Sequence, residues 1–173
     1  MNTTRRWLGL PTAAIGPDGT IFVAWADLPH GSCALLAGDG GDPCTNTDIR
    51  LSVSRDRGKS WTAPVKVSSE TSATDQFNPS ITVRDDGLVS LIWLDKRLDP
   101  NNVNFDAFYT NTYDGVNFLP DVRVSSATSL VGNSSLVGNY IGIDGNATRV
   151  FPIWDDMRSG KNAIVTAGGT LSP

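Results

Sequence analysis

A short motif with the residues needed to bind an acidic ligand occurs twice in the sequence. In each copy an aspartate follows a tryptophan by two residues, and an arginine follows that aspartate by two. The copies are Trp93-x-Asp95-x-Arg97 and Trp154-x-Asp156-x-Arg158. An arginine guanidinium holds a carboxylate through two parallel hydrogen bonds, so these arginines and aspartates are candidate ligand-binding residues. For each Asp–Arg pair taken alone, we nevertheless favour an internal ion pair that braces a loop over ligand binding.

One histidine and two cysteines narrow the remaining chemistry. A Cys₂His₂ or His-rich zinc site cannot form within one chain of this composition, and the sequence has no Cys-x-x-Cys motif. His30 lies beside Gly31 in a loop-like stretch and is the single candidate base for a Ser-His-Asp triad. Because such a triad needs three groups in close contact, we do not expect a serine hydrolase.

Cys33 and Cys44 bracket a loop rich in glycine and aspartate, residues 37–43. A disulfide that closes a loop of this size stabilises a fold by roughly 2–4 kcal/mol and indicates an oxidising compartment; the alternative is two buried thiols. The loop and its flank also carry hard oxygen ligands that suit calcium, at Asp39, Asp42 and Asp48. Their spacing departs from an EF-hand, so we predict a solvated loop and no cofactor, with calcium as the open alternative.

The composition favours strands and turns over helices. Of 18 acidic residues, 17 are aspartate and only Glu70 is glutamate, while 10 of the 14 basic residues are arginine. Glutamate and lysine favour exposed helices, whereas aspartate and the 17 glycines favour turns. A net charge of -4 does not favour binding to nucleic acid. No apolar run is long enough to span a membrane.

A repeated pattern of strands must position the candidate residues. Residues 11–27 and 79–95 each contain a proline, an Asp-Gly pair seven residues later, and alternating apolar residues that end in Trp-x-Asp. A third, looser copy covers residues 140–156. Asp-Gly accommodates the positive φ angles of a tight two-residue turn, and the alternation indicates half-buried strands. The pattern predicts three β-hairpins, which turn at Asp18-Gly19, Asp86-Gly87 and Asp144-Gly145.

Two more strands follow each of the first two hairpins. They are predicted at residues 49–53 and 64–69 in the first unit, and at residues 107–110 and 120–126 in the second. Each unit is then a four-stranded antiparallel meander, whose strands we call a to d. About 60 residues per unit is long for a short-looped propeller blade but typical of a blade with loops.

These units predict an all-β fold, a β-propeller of four-stranded antiparallel blades with about three blades per chain. The domain is a single half-propeller over residues 1–173. Its parts are blade 1 at about 11–69, blade 2 at about 79–126, a partial blade 3 at about 139–173, and residues 1–10 as a candidate closing strand. Strands a, b and c are predicted for the partial blade.

The turn between strands c and d of the first unit resembles a known family. Residues 54–61 fit the pattern S-x-D-x-G-x-S-W, whose defined positions are Ser54, Asp56, Gly58, Ser60 and Trp61. The pattern is similar to the Asp-box, or bacterial neuraminidase repeat, of sialidases and related β-propellers. A version one residue tighter runs from Thr112 through Asp114 to Phe118. Physically, the aspartate can accept backbone N–H groups, the glycine supplies an unusual φ, and the aromatic ring can pack between sheets.

The resemblance implies on which side of the fold a ligand would bind. The a–b and c–d turns share one side of a blade, here called the turn side, and the b–c and d–a loops share the other, the loop side. In the family the Asp-box lies opposite the binding site, so Asp56 is expected to be structural. Sialidases hold a substrate carboxylate with arginines on the loop side, which implies that Arg97 and Arg158 bind the ligand together with Asp95 and Asp156.

The resemblance also suggests candidates for catalysis. Sialidases use a tyrosine nucleophile with a carboxylate partner. Here the candidates are Tyr140, Glu70 and Asp75, provided that the ring brings them together. The sequence lacks the family's Arg-Ile-Pro segment, and the first unit ends its Trp-x-Asp motif with Pro29 where the others have arginine. The resemblance therefore implies glycan binding and leaves hydrolysis open.

Three blades are about half of a sialidase-type ring of six. An isolated half exposes sheet faces and strand edges, which promote aggregation. We therefore expect two chains to form a six-bladed homodimer by cyclic symmetry; the alternative is that the chain is a piece of a longer propeller. Residues 3–8 would supply a missing strand d. We expect no signal peptide there, because Pro11 interrupts the apolar segment that an export signal needs.

Three functions are consistent with these features. The first is a sialidase-like propeller module that binds carbohydrate, with an acidic glycan as ligand and exo-sialidase activity if it is an enzyme. The second is a structural or protein-interaction propeller, and the third is an assembling half-propeller without activity. We predict the first, in an extracellular or periplasmic protein with no nucleic-acid or membrane partner.

Overall fold

Short antiparallel strands make up the described part of the protein. The computed structural model describes residues 10–27, 46–131 and 140–170. Within these ranges there are strands and no α-helix, so no described helix could cross a membrane. Cys33, Cys44 and the candidate closing strand at residues 3–8 lie outside the described residues.

The strands form three four-stranded sheets in chain order. Sheet 1 contains β1 (Thr12–Ile15), β2 (Ile21–Asp27), β3 (Asp48–Ser54) and β4 (Val65–Lys66). Sheet 2 contains β5 (Gln76–Val83), β6 (Val89–Asp95), β7 (Asp106–Thr112) and β8 (Val122–Arg123). Sheet 3 contains β9 (Ile141–Gly145), β10 (Arg149–Asp156), β11 (Ala163–Thr166) and β12 (Gly169–Thr170). The predicted all-β architecture of antiparallel four-stranded sheets is confirmed.

Sheet 3 differs from the other two in its topology. Sheets 1 and 2 are simple meanders, in which each strand pairs with the next one along the chain. In sheet 3, β10 pairs with β9 along one edge and with both β11 and β12 along the other. β11 and β12 therefore share the position of one interrupted strand c, and the described residues place no strand outside them.

The first two hairpins turn at the predicted Asp-Gly pairs but through a longer loop. The backbone N–H of Gly19 donates to the carbonyl of Gly16, and that of Gly87 donates to the carbonyl of Arg84. Gly19 and Gly87 have φ angles of 83° and 84°, whereas neither aspartate before them has a positive φ. The prediction of a two-residue turn was wrong, because one left-handed glycine closing a three-residue loop matches the twist of the strands.

The third hairpin turns two residues later than predicted. Gly145 pairs with Val150 and Asp144 with Phe151, so both predicted turn residues belong to β9. The side-chain oxygen of Asn146 accepts the backbone N–H groups of Thr148 and Arg149, each at 3.0 Å. An asparagine that bonds its own following backbone makes a turn, and here this turn replaces the Asp-Gly turn.

Two apolar clusters hold the three sheets together. The cluster between sheets 1 and 2 includes Phe22, Leu51, Leu91, Trp93 and Phe108. The cluster involving sheets 2 and 3 includes Phe77, Ile92, Leu94, Phe105 and Trp154. Because successive strand residues point to opposite faces, β6 buries alternate side chains in the two clusters, and all seven of its residues are buried. Sheet 2 is therefore the central layer of the stack.

Candidate functional site

The two sides of the sheet stack carry the turns and loops as predicted. On the turn side, the guanidinium of Arg55 in the first c–d turn donates to the carbonyl of Asp114 in the second, at 2.8 Å. A small cavity there is lined by both a–b turns, including Asp18 and Asp86, and by Tyr113 of a c–d turn. The b–c and d–a loops meet on the loop side, where Lys96 contacts Asp75. The candidate ligand-binding and catalytic residues lie on that second side.

On the turn side, Asp56 organises its turn through hydrogen bonds, as the physical argument predicted. Its carboxylate accepts the backbone N–H of Ser60 at 2.8 Å, and the hydroxyls of Ser54 and Ser60. The Ser54 hydroxyl in turn accepts the N–H of Gly58, whose φ is 85°. Asp114 bonds its own turn in the same way, to the N–H groups of Val116 and Asn117. The assignment of this turn to the Asp-box family stays a prediction.

These hydrogen bonds should be visible in the titration of Asp56. The side-chain and backbone donors of Ser60 lower the pKa of Asp56 from 3.8 to about 2. A depressed folded-state pKa stabilises the turn above the ordinary value, and this stabilisation is lost as the pH falls toward 2. In a carboxyl NMR titration we expect a midpoint near 2, and a higher midpoint in Ser60→Ala. An unshifted midpoint in the native chain would contradict these hydrogen bonds.

The aromatic residues that follow the two c–d turns differ in exposure. Phe118 packs against the cluster between sheets 1 and 2, as predicted. Trp61 holds the corresponding position in sheet 1 but leaves 46% of its surface exposed. The packing of this ring between neighbouring sheets is therefore observed for Phe118. For Trp61 it stays a prediction, because no described sheet lies beyond sheet 1.

The Trp-x-Asp-x-Arg motif on the loop side folds into a closed hydrogen-bonded unit. The Asp95 carboxylate accepts the indole N–H of Trp93 at 2.8 Å, the backbone N–H of Arg97 at 2.8 Å and the guanidinium of Arg97 at 2.6 Å. The second copy repeats all three bonds on Asp156, at 3.2, 2.7 and 2.7 Å. Both aspartates are almost fully buried. In each copy, the tryptophan and arginine of the motif therefore hydrogen-bond the buried aspartate, and the arginine neutralises its charge.

Arg97 also connects sheet 2 to the end of sheet 1. Its guanidinium contacts Asp121 at 2.9 Å and the Ser68 hydroxyl at 3.0 Å, and its Nε lies 3.7 Å from Glu70. It also lies over the ring of Phe108. Although burial opposes it, hydrogen bonds and charge from Asp95 and Asp121 raise the pKa of Arg97 above its ordinary value. These contacts match the loop-bracing alternative for this pair.

Arg158 makes the equivalent connection from sheet 3 to sheet 2 with fewer partners. Its guanidinium contacts Asp156 and donates to the Ser126 hydroxyl at 2.6 Å. Its side chain is 27% exposed, against 12% for Arg97. Although burial opposes it, Arg158 lowers the pKa of Asp156 below its ordinary value. Arg158 is therefore the more accessible of the two candidate ligand-binding arginines.

Asp75 lies at the centre of a buried network that joins sheets 1 and 2. One carboxylate oxygen accepts the backbone N–H groups of Asn46 and Thr47, and the other accepts Lys96 at 3.1 Å and the Asn102 side chain at 2.8 Å. Side-chain exposure is only 4% for Asp75 and 5% for Lys96. Both carboxylate oxygens thus already accept protein donors, an arrangement suited to fastening loops.

The remaining catalytic candidates, Glu70 and Tyr140, are not brought together. Glu70 accepts the backbone N–H of Ser72 and lies near Arg97. Burial raises the pKa of Glu70, but the Ser72 hydrogen bonds and the Arg97 charge outweigh it and hold that pKa below its ordinary value. Tyr140 lies at the start of β9 and is 73% exposed. Within the described ranges, no hydrogen bond or ion pair joins Tyr140 to the candidate arginines and carboxylates.

Tyr140 instead lines a cavity of about 380 Å³ between the first strands of the three sheets. Thr12 of β1, Ser80 of β5 and Ile141 of β9 contribute to its wall. Ile153 and Trp154 of β10 also line it. A cavity with a mostly apolar wall and a few polar groups is the usual form of a small-molecule site.

Asn78 lines the same cavity, and the sequence analysis did not single it out as a site residue. It sits in β5, where the register with β6 shifts between Phe77 and Ser80, and its φ is 49°. A β-bulge re-aims side chains and is common beside active sites, and a left-handed φ at a non-glycine residue is uncommon. Asn-Pro at residues 78–79, inside an otherwise alternating strand, is the sequence signal that marks this bulge.

The described residues contain no cluster of three or more His, Cys, Asp or Glu side chains arranged to hold a metal ion. Asp39 and Asp42 of the candidate calcium loop lie outside the described ranges. Asp48, the third member, contacts Lys66 at 2.7 Å and Arg50 at 3.4 Å. Two cations therefore already neutralise this aspartate.

Comparisons with solved structures identify the architecture. A protein of unknown function from Dyadobacter fermentans superposes with a TM-score of 0.63 and 14% identity, over 98% of this chain and 53% of that one. An α-L-arabinanase from Penicillium chrysogenum, complexed with arabinobiose, superposes with a TM-score of 0.54 and 15% identity, over 95% of this chain and 46% of that one. A Hadza microbial sialidase superposes with a TM-score of 0.53 and 16% identity, over 91% of this chain and 30% of that one. The chain is part of a β-propeller.

This partial propeller spans about half or less of the length of those structures. No protein-family model matches the sequence, and no curated protein matches it. In a propeller the sheets surround a central channel. Because the first strand of each sheet lines the cavity that contains Tyr140 and Asn78, that cavity lies beside the propeller axis.

Proposed function

We propose that the chain is a carbohydrate-binding propeller module whose ligand occupies the axial cavity beside Tyr140. One observation carries this proposal: an exposed tyrosine ring and the bulged Asn78 line the same 380 Å³ cavity. A sugar has an apolar C–H surface that packs on an aromatic ring and hydroxyls that pair with amide and hydroxyl groups. The named arabinanase and sialidase neighbours, which act on carbohydrates, support this ligand class.

A neutral sugar fits the cavity better than an acidic one. None of the lining residues is charged; the polar side chains are those of Thr12, Asn78, Ser80 and Tyr140. The sequence resemblance predicted an acidic glycan held by Arg97 and Arg158. These two arginines already form ion pairs with Asp95 and Asp156, respectively. An incoming carboxylate would have to compete with those buried aspartates, so we propose a neutral pentose oligosaccharide as the ligand.

Replacing Tyr140 with alanine should weaken sugar binding by about tenfold or more, because the ring supplies the apolar surface on which a sugar stacks. Arabinobiose is the neutral probe and sialyllactose the acidic one, each measured by calorimetry. The matched control is Tyr113→Ala, since Tyr113 is similarly exposed, at 66%, but lies on the turn side. Equal effects of the two variants would contradict the proposed site.

The same titrations separate the neutral and acidic versions of the proposal. Binding of arabinobiose that requires Tyr140 supports the axial cavity. Binding of sialyllactose that is lost in Arg158→Ala and retained in Tyr140→Ala would support the acidic site instead. Absence of binding with both probes would overturn the neutral pentose ligand and favour an interaction or structural role.

A further inference from the structure

The stack of sheets ends in two apolar faces that the described residues leave partly uncovered. The first-sheet outer face consists of Ile15, Ile21, Val23, Trp25 and Trp61. The third-sheet outer face consists of Phe151, Ile153 and Ile164, all exposed. Exposed apolar patches of this kind mark interaction surfaces or aggregation hazards. Both faces are therefore candidate interaction surfaces.

Strand register places these residues on the outer sides of the stack. Ile15 pairs with Ile21 in sheet 1, and Val23 and Trp25 follow on the same face of β2. Phe22, between them in sequence, points the other way into the cluster with sheet 2. In sheet 3, Trp154 packs toward sheet 2, so Phe151, Ile153 and Ile164 point away from it.

The sequence repeat shows that the two outer faces are complementary halves of one type of interface. Aligned on the tryptophans, Ile21, Val23 and Trp25 correspond to Val89, Leu91 and Trp93 of sheet 2. Those sheet 2 residues pack against Phe22 and Ala24 of sheet 1. Phe22 and Ala24 in turn correspond to Phe151 and Ile153 of sheet 3. A third-sheet outer face is thus built to pack on a first-sheet outer face.

Trp61 supports the same conclusion from a separate segment. Its counterpart Phe118 packs against the cluster between sheets 1 and 2, on the side of sheet 2 that faces sheet 1. Trp61 accordingly belongs to the side of sheet 1 that faces away from sheet 2. Trp25, half-buried, shows the same contrast with Trp93 and Trp154, which are buried. Trp25 and Trp61 therefore lie on a face where a neighbouring sheet would bury them.

We propose that the occupant is a second copy of this chain, and that two copies close a ring in which each third-sheet outer face packs on the other's first-sheet outer face. Each new interface continues the sheet-on-sheet packing already present twice within the chain. The chain matches 53% and 46% of the length of two propeller structures, so two copies supply about one ring. When a half-turn relates the two chains, the head-to-tail contact forms twice and the dimer is a closed ring.

The second copy also completes the axial cavity. Ile153 and Ile164 of the third-sheet outer face are part of its wall, so the cavity opens toward the position of the partner. First strands of the second copy would then line its far side. The axial site of one chain is therefore incomplete without the other.

The mass of the unmodified chain in solution tests the ring. At micromolar concentration, light scattering coupled to size-exclusion chromatography is expected to give twice 18.5 kDa. A monomer would overturn the proposal, and so would a ladder of longer oligomers, because a head-to-tail contact that fails to close forms open chains. No sugar is present, so this result is independent of the carbohydrate proposal.

Charge substitutions on each face then test which surfaces meet. Ile153→Asp and Val23→Asp should each weaken dimerisation at least tenfold, whereas Val122→Asp, on the outermost strand of sheet 2, should leave it unchanged. Circular dichroism checks folding, and Trp61→Asp replaces Val23→Asp if that variant does not fold. Mixing Ile153→Asp with Val23→Asp leaves one interface intact, so a weaker mixed dimer should reappear. Loss of dimer in only one of the two variants would overturn head-to-tail pairing.

Discussion

Replacing Asp75 with alanine is expected to reduce the free energy of unfolding by about 3–5 kcal/mol, the usual cost of breaking a buried ion pair by removing one partner. The Lys96 side chain, which is 5% exposed, would lose the carboxylate that its ammonium contacts at 3.1 Å. The backbone N–H groups of Asn46 and Thr47 would lose their acceptor as well. Guanidinium denaturation followed by circular dichroism measures the loss.

Two further variants show whether the effect comes from the buried pair. Asp85→Ala removes an exposed carboxylate and should change stability by less than about 0.5 kcal/mol. Adding Lys96→Met to Asp75→Ala removes the buried positive charge and should recover part of the loss. A loss below about 1 kcal/mol for Asp75→Ala would show that water reaches this network and that it does not fasten the loops.

Arg97→Ala is the second substitution with a large expected effect, about 3–5 kcal/mol of lost stability. It would leave the carboxylates of Asp95 and Asp121 buried without the guanidinium that joins them, at exposures of 0% and 3%. Arg158→Ala removes only one such contact from a more exposed position and should cost about 1–3 kcal/mol. The two arginines, equivalent in the sequence motif, are thus expected to differ in stability contribution.

The same pair of variants decides between the two interpretations of the motif. If Arg97 braces the loops, denaturation midpoints fall steeply in Arg97→Ala and less in Arg158→Ala. If Arg97 were kept for a ligand, its removal would leave stability within about 0.5 kcal/mol and affect only binding. Arg149→Ala, at an exposed position on β10, provides the control for loss of an arginine.

Local sequence features predicted the strands because each depends on a few neighbouring residues. The Asp-Gly pairs before Trp25 and Trp93 set two hairpins correctly, since a left-handed glycine is needed within that one turn. The same rule failed before Trp154, where Asn146 offered a competing side-chain turn two residues later. A single sequence gives no measure of which of two adjacent turn signals is stronger.

Contacts between distant segments limited what could be predicted about the site. Arg97 meets Asp121 and Ser68, which lie 24 and 29 residues away in the chain. The motif showed that Asp95 could pair with Arg97, but the further partners depend on how sheet 2 packs against sheet 1. The axial cavity likewise appears only when the first strands of three sheets meet. For that reason Tyr140 was identified from the family resemblance, and Asn78 was missed.

The two-residue length of β4 and β8 restricts how these sheets can grow. Each is the outermost strand of its sheet, and ion pairs to the adjacent strand, Lys66 with Asp48 and Arg123 with Asp106, help to hold it. So short a strand gives an approaching chain almost no backbone template, and its basic side chains oppose pairing with another copy of itself. Fibril-like extension along the hydrogen-bonding direction is thereby blocked at the rim of sheets 1 and 2. Sheet 1 can still assemble through its outer face, which the described residues leave partly uncovered.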